Sequence, residues 1–292
     1  MTVLVTAATG NVGSQVVREL RERGAAVRAF VRDADRALER LGSDVELAAG
    51  DFADAGSLRR ALEGVTRVFL SSADGPDKVA HETAVVDACT AAGVELIVRA
   101  STDRAAPASP LAPFAWNGRS EEHLRRSGVP FTILRSTFYM TNLLAAAEEV
   151  RSAGRLFAPA GDGRIAMIAP QDVGAVGALV LTTDGHAGAT YRLTGPEAIG
   201  YRDVAEELSR ATGARVEYVH VPEEAARGGL AAAGMPDWLV EHLIGVFRLI
   251  RAGAFVETTD TVRTLTGREP RSFGDFAHDH AALFGAAAPA PS

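Results

Sequence analysis

Lysine and cysteine are almost absent from this 292-residue sequence. Cys89 is its single cysteine, which excludes an internal disulfide and a metal cluster held by cysteines. Lys78 is its single lysine. A phosphate-binding P-loop needs a glycine directly before its lysine, and Asp77 occupies that position, so a P-loop is excluded. So little cysteine is typical of a reducing compartment, and we therefore expect a cytoplasmic protein with no bound metal.

The lysine count also excludes a Tyr-x-x-x-Lys catalytic pair. That pair needs a tyrosine four residues before the lysine, and Asp74 occupies the position. The proton-transfer route of ordinary short-chain dehydrogenases is therefore not expected in its usual form.

Long apolar runs are missing as well. No stretch of about 18 uncharged apolar residues occurs and no basic leader precedes an apolar run, so we expect neither a membrane span nor a targeting segment. The net charge of -7 argues against nucleic acid or an anionic membrane as the main partner. A chain of this length with 47 % hydrophobic residues can bury a large core, which leaves a small molecule as the expected partner.

Short apolar runs alternate with helical stretches through the first half. The predicted strands span residues 3–6, 27–31, 45–49, 67–70, 95–99 and 131–134. The predicted helices span residues 11–23, 36–41, 57–62, 79–92 and 120–127, the last one after a loop rich in Ala and Pro. This alternation predicts an α/β fold, a Rossmann-type doubly wound parallel sheet with helices on both faces.

The alternation of predicted strands and helices becomes less regular after Tyr139. We predict an NAD(P)-binding domain over residues 1–150, with residues 170–195 packing back on it, and a smaller C-terminal α+β substrate lobe over residues 151–285, with a cleft between them. The Ala- and Pro-rich residues 286–292 are predicted to form a disordered tail. A strongly apolar helical segment, residues 238–251, is compatible with a monomer or a homodimer.

A glycine turn, residues 6–13 (Thr-Ala-Ala-Thr-Gly-Asn-Val-Gly), joins the first strand to the first helix. Gly10 permits close approach to a pyrophosphate, and Gly13 permits the helix to lie against the sheet. Free N–H groups at the helix start then bind phosphates. Ala7 stands where the first glycine of this motif is expected, and the alternative is an ordinary tight turn between strand and helix.

Arg32 and Asp33 follow the second strand, at the position that selects between dinucleotides. An acid there binds the ribose 2′-OH of NAD, whereas an arginine accommodates the 2′-phosphate of NADP. Arg32 lies nearer the strand end, which favours NADPH. The alternative is a surface arginine beside an aspartate that caps the next helix.

Further motifs accompany the glycine turn: Val-Arg at 31–32, Ala-Gly-Asp-Phe at 49–52, Val-Phe-Leu-Ser-Ser at 68–72 and Ser-Gly-Val-Pro-Phe-Thr at 127–132. Together they resemble the NmrA-like branch of the atypical short-chain dehydrogenases, and in particular its NADPH-dependent quinone oxidoreductases and triphenylmethane reductases. The similarity spans nearly the whole chain.

The resemblance implies a set of cofactor contacts. It places Thr9, Gly10, Asn11 and Val12 along the pyrophosphate, Arg32 at the 2′-phosphate, Asp51 and Phe52 beside the adenine, and Ser71 and Ser72 along the nicotinamide ribose. It also places Ser101 where the ordinary family keeps its active-site serine. Two alternatives remain, in which Asp51 only caps a helix and the two serines only end a strand.

The expected chemistry depends on residues 113–120, which occupy the place of the missing Tyr-x-x-x-Lys helix. Asn117 stands where the branch often carries histidine or lysine, so no obvious proton donor remains there. A quinone is a strong electrophile, and hydride transfer to it needs mainly positioning. The aromatic residues Phe114, Trp116 and Phe138 are predicted to hold a flat acceptor, and Tyr139 to supply a hydrogen bond or proton, unless these rings only pack the junction of the two lobes.

Other reactive side chains are interpreted as structural. Lys78 and His81 are predicted to lie on the surface at a helix start, and Cys89 to face the core. His278 and His280 lack further ligands nearby, so no zinc site is expected.

These features predict an NADPH-dependent oxidoreductase that transfers hydride to a quinone or a similar aromatic acceptor, with Tyr139, Asn117 and Ser101 as its catalytic residues. One alternative is a non-catalytic NADP-sensing regulatory protein, which the missing Tyr-Lys pair favours. Another is a reductase or isomerase that tailors an aromatic natural product.

Overall fold

The computed structural model describes residues 1–285, which divide into two compact units. The first unit comprises Met1–Ser136, Pro170–Leu193 and Thr261–Arg268. The second comprises Thr137–Ala169, Thr194–Asp260 and the described residues from Glu269 onward. The predicted tail at residues 286–292 lies outside the described residues.

A seven-stranded parallel sheet forms the centre of the first unit. Its strands are β1 (Thr2–Thr6), β2 (Ala26–Val31), β3 (Glu46–Ala49), β4 (Arg67–Leu70), β5 (Leu96–Thr102), β6 (Phe131–Ser136) and β9 (Thr190–Leu193). Their order across the sheet is β3-β2-β1-β4-β5-β6-β9, so the chain crosses over from β3 to β4 and the strand order reverses between the neighbours β1 and β4. Because ligands bind at the carboxyl ends of parallel strands beside such a reversal, the topology already indicates where a site belongs.

Helices cover this sheet. They are α1 (Gly13–Glu22), α2 (Ala34–Leu41), α3 (Ala55–Ala61), α4 (Lys78–Ala92), α5 (Ala112–Arg126), α7 (Pro170–Thr182) and α11 (Thr261–Thr266). Leu58 of α3, Val85 of α4 and Leu124 of α5 share one hydrophobic cluster with Leu4 of β1. Helices α1 and α7 pack against each other, and α7 also contacts β4, β5 and β6. The predicted Rossmann-type α/β fold is confirmed.

Helix α5 begins earlier than predicted. The sequence suggested a loop up to residue 120, but the helix starts at Ala112. Pro113 lies in the first helical turn, where the backbone N–H has no intrahelical acceptor, so a proline is tolerated. The predicted loop is therefore wrong for residues 112–119, and Phe114, Trp116 and Asn117 are helical.

The second unit contains shorter strands and more helices. Its strands are β7 (Arg155–Ala158), β8 (Arg164–Ile165), β10 (Ile199–Gly200) and β11 (Glu217–His220), of which β7 and β11 pair in parallel and β8 and β10 antiparallel. After a 3-10 helix at Met140–Ala146, its α-helices are α6 (Ala147–Ala153), α8 (Tyr201–Thr212), α9 (Glu223–Ala232), α10 (Asp237–Arg251), α12 (Phe273–Asp279) and α13 (Ala281–Phe284). Helix α9 was not predicted, because Gly228 and Gly229 lie inside it and glycine disfavours helix interiors.

Among residues 1–285, no helix has both the length and the apolar character needed to cross a membrane.

Candidate functional site

The glycine turn brings backbone N–H groups to the start of α1. Ala7 adopts a positive φ of 46°, the left-handed conformation that a glycine would take at no steric cost, and its carbonyl accepts a hydrogen bond from Gly10 N at 2.8 Å. A Cβ on Gly13 would lie 2.2 Å from that same carbonyl oxygen, so only glycine fits there. Helix α1 has neither a side-chain cap nor an acidic residue in its first turn. Its N–H groups and positive dipole end therefore favour an anion.

A pocket of about 380 Å³ lies at the carboxyl ends of the central strands. Its walls come from the glycine turn, from the residues after β2 and β3, and from residues 72–78 with His81 after β4. The predicted cofactor residues in the walls are Thr9, Gly10, Arg32, Asp51, Phe52 and Ser72. The predicted residues outside the lining are Asn11, Val12 and Ser71. The pocket thus brings together residues from four separate βα junctions of the sheet.

Arg32 lies exposed on the rim of this pocket. Its guanidinium forms no ion pair and no hydrogen bond with any of residues 1–285. Asp33 beside it caps α2, since its carboxylate accepts a hydrogen bond from Arg36 N at 3.0 Å. The guanidinium therefore remains available to a ligand, whereas the neighbouring carboxylate has a structural role.

Aromatic rings form one wall of the pocket. The ring of Phe52 stacks on Phe30 with 5.5 Å between centroids, and the ring of His81 lies 5.8 Å from Phe52. Asp51 is held beside them, because its carboxylate accepts a hydrogen bond from Ala53 N at 2.9 Å. Such a wall suits a flat base, just as the helix start and Arg32 suit phosphate groups.

Lys78 is a buried residue of this pocket, so its predicted place on the surface is wrong. Its side chain is only 5 % exposed, although it lines the pocket. Its ammonium lies 3.0 Å from Glu82 Oε1 and 3.4 Å from Asp74 Oδ1, and it donates a hydrogen bond to Ser72 Oγ at 3.1 Å. Lys78 and Glu82 are four residues apart in α4 and therefore lie on one side of this helix, while Asp74 reaches the ammonium from the loop before it.

Glu82 joins Lys78 to Arg99, a fully buried arginine on β5. Arg99 Nε donates to Glu82 Oε2 at 2.8 Å, and Ser72 Oγ donates to Glu82 Oε1 at 2.7 Å. Burial by itself raises the pKa of the Glu82 carboxyl, but the charges of Arg99 and Lys78 and the hydrogen bonds of Ser72 and Lys78 outweigh burial and lower this pKa to about 2. The carboxylate is therefore ionised at neutral pH.

Asn117 is bound to this network rather than exposed as a free catalytic group. Its Oδ1 accepts a hydrogen bond from Arg99 Nη2 at 2.9 Å, and its Nδ2 donates to the Pro113 carbonyl at 2.9 Å. The position that the resemblance associates with histidine or lysine thus carries a neutral amide, and Arg99 provides the positive charge beside it.

Ser101 donates its hydroxyl hydrogen to Glu121 Oε1 at 2.6 Å. Arg135 and Arg125 bind the same carboxylate, with N–O distances of 2.6 and 2.9 Å to Oε2. Burial raises the pKa of the Glu121 carboxyl, but hydrogen bonds from Arg135, Ser101 and Arg125 lower it overall. The Ser101 hydroxyl is consequently held by an ionised carboxylate that connects β5, α5 and β6.

The predicted acceptor-binding aromatics belong to two different units. Phe114 is buried and Trp116 half-buried on α5 of the first unit. Phe138 and Tyr139 are half-buried in the second unit, where the Phe138 carbonyl accepts a hydrogen bond from Ile168 N at 2.9 Å. Tyr139 immediately precedes the 3-10 helix that starts at Met140.

Sequence reasoning missed Lys78, Glu82 and Arg99. Two signals pointed to them: the four-residue spacing of Asp74, Lys78 and Glu82, and a charged residue inside the apolar run of β5. An arginine inside such a run needs a buried partner, and the acid on α4 is that partner. Within the described chain, no group of three or more His, Cys, Asp or Glu side chains is arranged to hold a metal ion.

Comparisons with known proteins identify the family of this chain. The NmrA-like family model matches residues 1–276. The NAD(P)H azoreductase of Xenophilus azovorans is 37% identical over 285 residues, which cover 98% of this chain and 100% of the relative. The (4-alkanoyl-5-oxo-2,5-dihydrofuran-3-yl)methyl phosphate reductase of Streptomyces griseus is 37% identical over 285 residues, covering 97% of this chain and 99% of the relative.

The solved structures include the NADPH-dependent quinone oxidoreductase of Escherichia coli in complex with NADPH. It matches with a TM-score of 0.86 at 28% sequence identity, over 95% of this chain and 99% of that chain. The resemblance inferred from the glycine turn and its accompanying motifs is confirmed, and the chain belongs to the NmrA-like family.

Proposed function

We propose that this protein is an NADPH-dependent oxidoreductase that transfers hydride to a quinone or a similar aromatic acceptor. The observation that carries the proposal is Arg32, an arginine without a partner among the described residues, on the rim of a pocket that also contains the glycine turn and the ring of Phe52. These groups fit the 2′-phosphate, the pyrophosphate and the adenine of NADPH. The names of the azoreductase and the quinone oxidoreductase support an aromatic acceptor.

Each part of the pocket has an assigned role in this proposal. The residues that would hold the pyrophosphate and its neighbouring ribose are Thr9, Gly10, Asn11, Val12, Ser71 and Ser72. Arg32 would bind the 2′-phosphate, and Asp51 and Phe52 would lie beside the adenine. NADPH, when bound, supplies the hydride.

The protein's own contribution is binding, orientation and a proton. The chain has no Tyr-x-x-x-Lys pair, since Asp74 lies four residues before its one lysine. We assign the proton or hydrogen bond for the acceptor oxygen to Tyr139 and a second hydrogen bond to Asn117, whose Nδ2 keeps one hydrogen after donating to Pro113. Ser101 positions α5 and β6 through Glu121 in this scheme.

The acceptor would be held by flat apolar contacts. Phe114, Trp116 and Phe138 are assigned to it, since stacked aromatic contacts recognise a planar ring without needing a specific polar group. Hydride transfer to such an electrophile depends on positioning more than on acid catalysis. We also propose a cytoplasmic protein, active as a monomer or homodimer.

The proposal is tested by following NADPH oxidation through the nicotinamide absorbance with small quinones and azo dyes, and with NADH for comparison. Oxidation that depends on the acceptor and prefers NADPH supports it. A protein that binds NADPH tightly but oxidises it with none of these acceptors contradicts the catalytic assignment and favours the non-catalytic NADP-sensing alternative.

A second candidate follows from the Streptomyces griseus relative, whose name describes reduction of an unsaturated lactone phosphate. In that case the acceptor is a conjugated carbon–carbon double bond of a natural product rather than a quinone. Adding an unsaturated lactone, with and without a phosphate group, to the same assay separates the two candidates by the ratio of their kcat/KM values.

A further inference from the structure

Two cations share one buried carboxylate beneath the pocket. Lys78, Glu82 and Arg99, which we call the buried charge cluster, have side chains that are 5 %, 1 % and 0 % exposed. Glu82 contributes one negative charge, and Lys78 and Arg99 contribute one positive charge each. The cluster therefore carries one positive charge in excess.

Other described groups neutralise this excess only in part. Asp74 lies 3.4 Å from the Lys78 ammonium, but its side chain is 48 % exposed, so water and salt screen part of its negative charge. Asn117 is neutral, and Arg99 Nη1 is buried without a hydrogen-bond partner in the described chain. No further carboxylate within residues 1–285 pairs with Lys78 or Arg99. An uncompensated buried charge is costly, so the cluster favours an added anion.

A ligand in the pocket can reach the excess positive charge at Lys78, which lines the pocket together with Ser72. These residues lie after β4, whereas Arg32 lies after β2, and β1 with its glycine turn stands between the two strands. Lys78 and Arg32 therefore approach the pocket from opposite sides of the glycine turn. A 2′-phosphate held by Arg32 leaves Lys78 to a different anionic group.

We infer that Lys78 is an anion-binding residue of the pocket, and that it binds a dinucleotide phosphate that NADPH and NADH have in common. The inference rests on the proposed function, because it needs a dinucleotide in the pocket. Its chemistry is that of a compact ammonium that exchanges its 3.3 Å contact with the Ser72 carbonyl for a phosphate oxygen, while Glu82 and Ser72 Oγ keep the other two donors. The Arg99 guanidinium, paired with Glu82, contributes the second positive charge of the cluster.

Charge balance separates this role from a purely structural one. Lys78→Met removes one cation and leaves Arg99 and Glu82 as a neutral buried pair, so the unliganded protein keeps or gains thermal stability. A structural lysine would behave in the opposite way. Glu82→Gln leaves two buried cations without a carboxylate, so it destabilises the unliganded protein and increases the stabilisation that an anionic ligand provides.

The experiment measures the binding of NADP⁺, NAD⁺, NADPH and NADH by calorimetry and nucleotide fluorescence, without any acceptor, together with the thermal midpoint of the unliganded protein. Lys78→Met is expected to raise the Kd of all four dinucleotides by about tenfold or more while the midpoint stays or rises. Arg126→Met is the matched control, since it removes one positive charge from a side chain that is 74 % exposed. It is expected to leave both quantities unchanged.

Each other outcome is decisive. If Lys78→Met binds all four dinucleotides like the wild type, or if its unliganded midpoint falls by several degrees, Lys78 is structural and the inference is overturned. A loss confined to NADP⁺ and NADPH places the ammonium at the 2′-phosphate and also overturns it. If the wild type itself binds no dinucleotide, the proposed function fails instead. If Lys78→Met does not fold, Glu82→Gln decides, since the inference requires a larger rise in its midpoint on adding NADP⁺ than the wild type shows.

Discussion

The Nη2 atom of Arg99 lies 2.6 Å from Oε2 of Glu82, and neither side chain is more than 1 % exposed. This ion pair joins β5 to α4 and extends through Lys78 to the pocket wall. A charged pair at such depth makes the stability of the fold depend on pH.

The pH dependence follows from the pKa of Glu82, which is about 2 in the folded protein against an ordinary value of 4.5. Because the folded pKa is the lower one, the stabilisation is complete above pH 4.5 and is lost as the pH falls from there towards 2. It amounts to about 3 kcal/mol, since each pKa unit corresponds to about 1.4 kcal/mol. Urea unfolding at a series of pH values measures it.

Glu82→Gln tests the same point at constant pH. The variant is expected to lose about 3–5 kcal/mol of unfolding free energy at pH 7, and to lose less relative to the wild type as the pH falls. Glu122→Gln is the control, because this carboxylate is 46 % exposed in its pair with Arg126 and should change stability by less than about 1 kcal/mol. Equal effects of the two substitutions would refute the assignment.

Arg32→Ala tests the preference for NADPH. Losing a charge-assisted contact to the 2′-phosphate is expected to raise the Kd of NADPH about 10–100-fold and to leave that of NADH almost unchanged. Arg36→Ala, on an exposed position of α2, provides a control with the same change in net charge. Fluorescence titration gives both constants, and equal weakening of the two dinucleotides would remove the 2′-phosphate role.

Ala7→Gly tests the conformation of the glycine turn. The left-handed φ of 46° costs an alanine about 1–2 kcal/mol, and glycine removes this cost while losing about 0.5–1 kcal/mol of chain entropy. The substitution is therefore expected to raise the free energy of unfolding by up to about 1 kcal/mol. Ala8→Gly, at the neighbouring fully buried position, should lower it. Chemical denaturation of both variants decides whether the signs differ as expected.

Tyr139→Phe tests the proposed proton donor. Removing the hydroxyl is expected to lower kcat with a quinone by about tenfold or more, with little change in NADPH binding. Tyr191→Phe is the control, because its hydroxyl lies 2.8 Å from His186 Nδ1 at the edge strand β9. Unchanged turnover in Tyr139→Phe would limit this side chain to packing.

Much of the first unit follows from local rules. The strand β4 coincides with its predicted span, residues 67–70, and β1 and β2 each begin one residue before theirs, since burial imposes a recognisable apolar pattern on such segments. The second unit is less predictable: its strands β8 and β10 have two residues each, too few for a recognisable pattern.

The residues of the pocket also differ in how well the sequence predicts them. Gly10, Arg32 and Asp51 are recognisable because each lies in the short segment after a strand, and parallel strands bring their carboxyl ends to one edge. Lys78 is not recognisable in this way, because an exposed and a buried lysine at a helix start look alike in the sequence.

The sequence by itself determined the glycine turn, most strands and helices of the first unit and the single lysine with Asp74 four residues before it, because these depend on neighbouring residues and on composition. The tertiary structure alone decided that Lys78 is buried, that Arg99 pairs with Glu82, and that Asn117 is held by Arg99. These contacts join α4, β5 and α5, and a charge is stable inside a protein only where folding brings such partners within hydrogen-bonding distance.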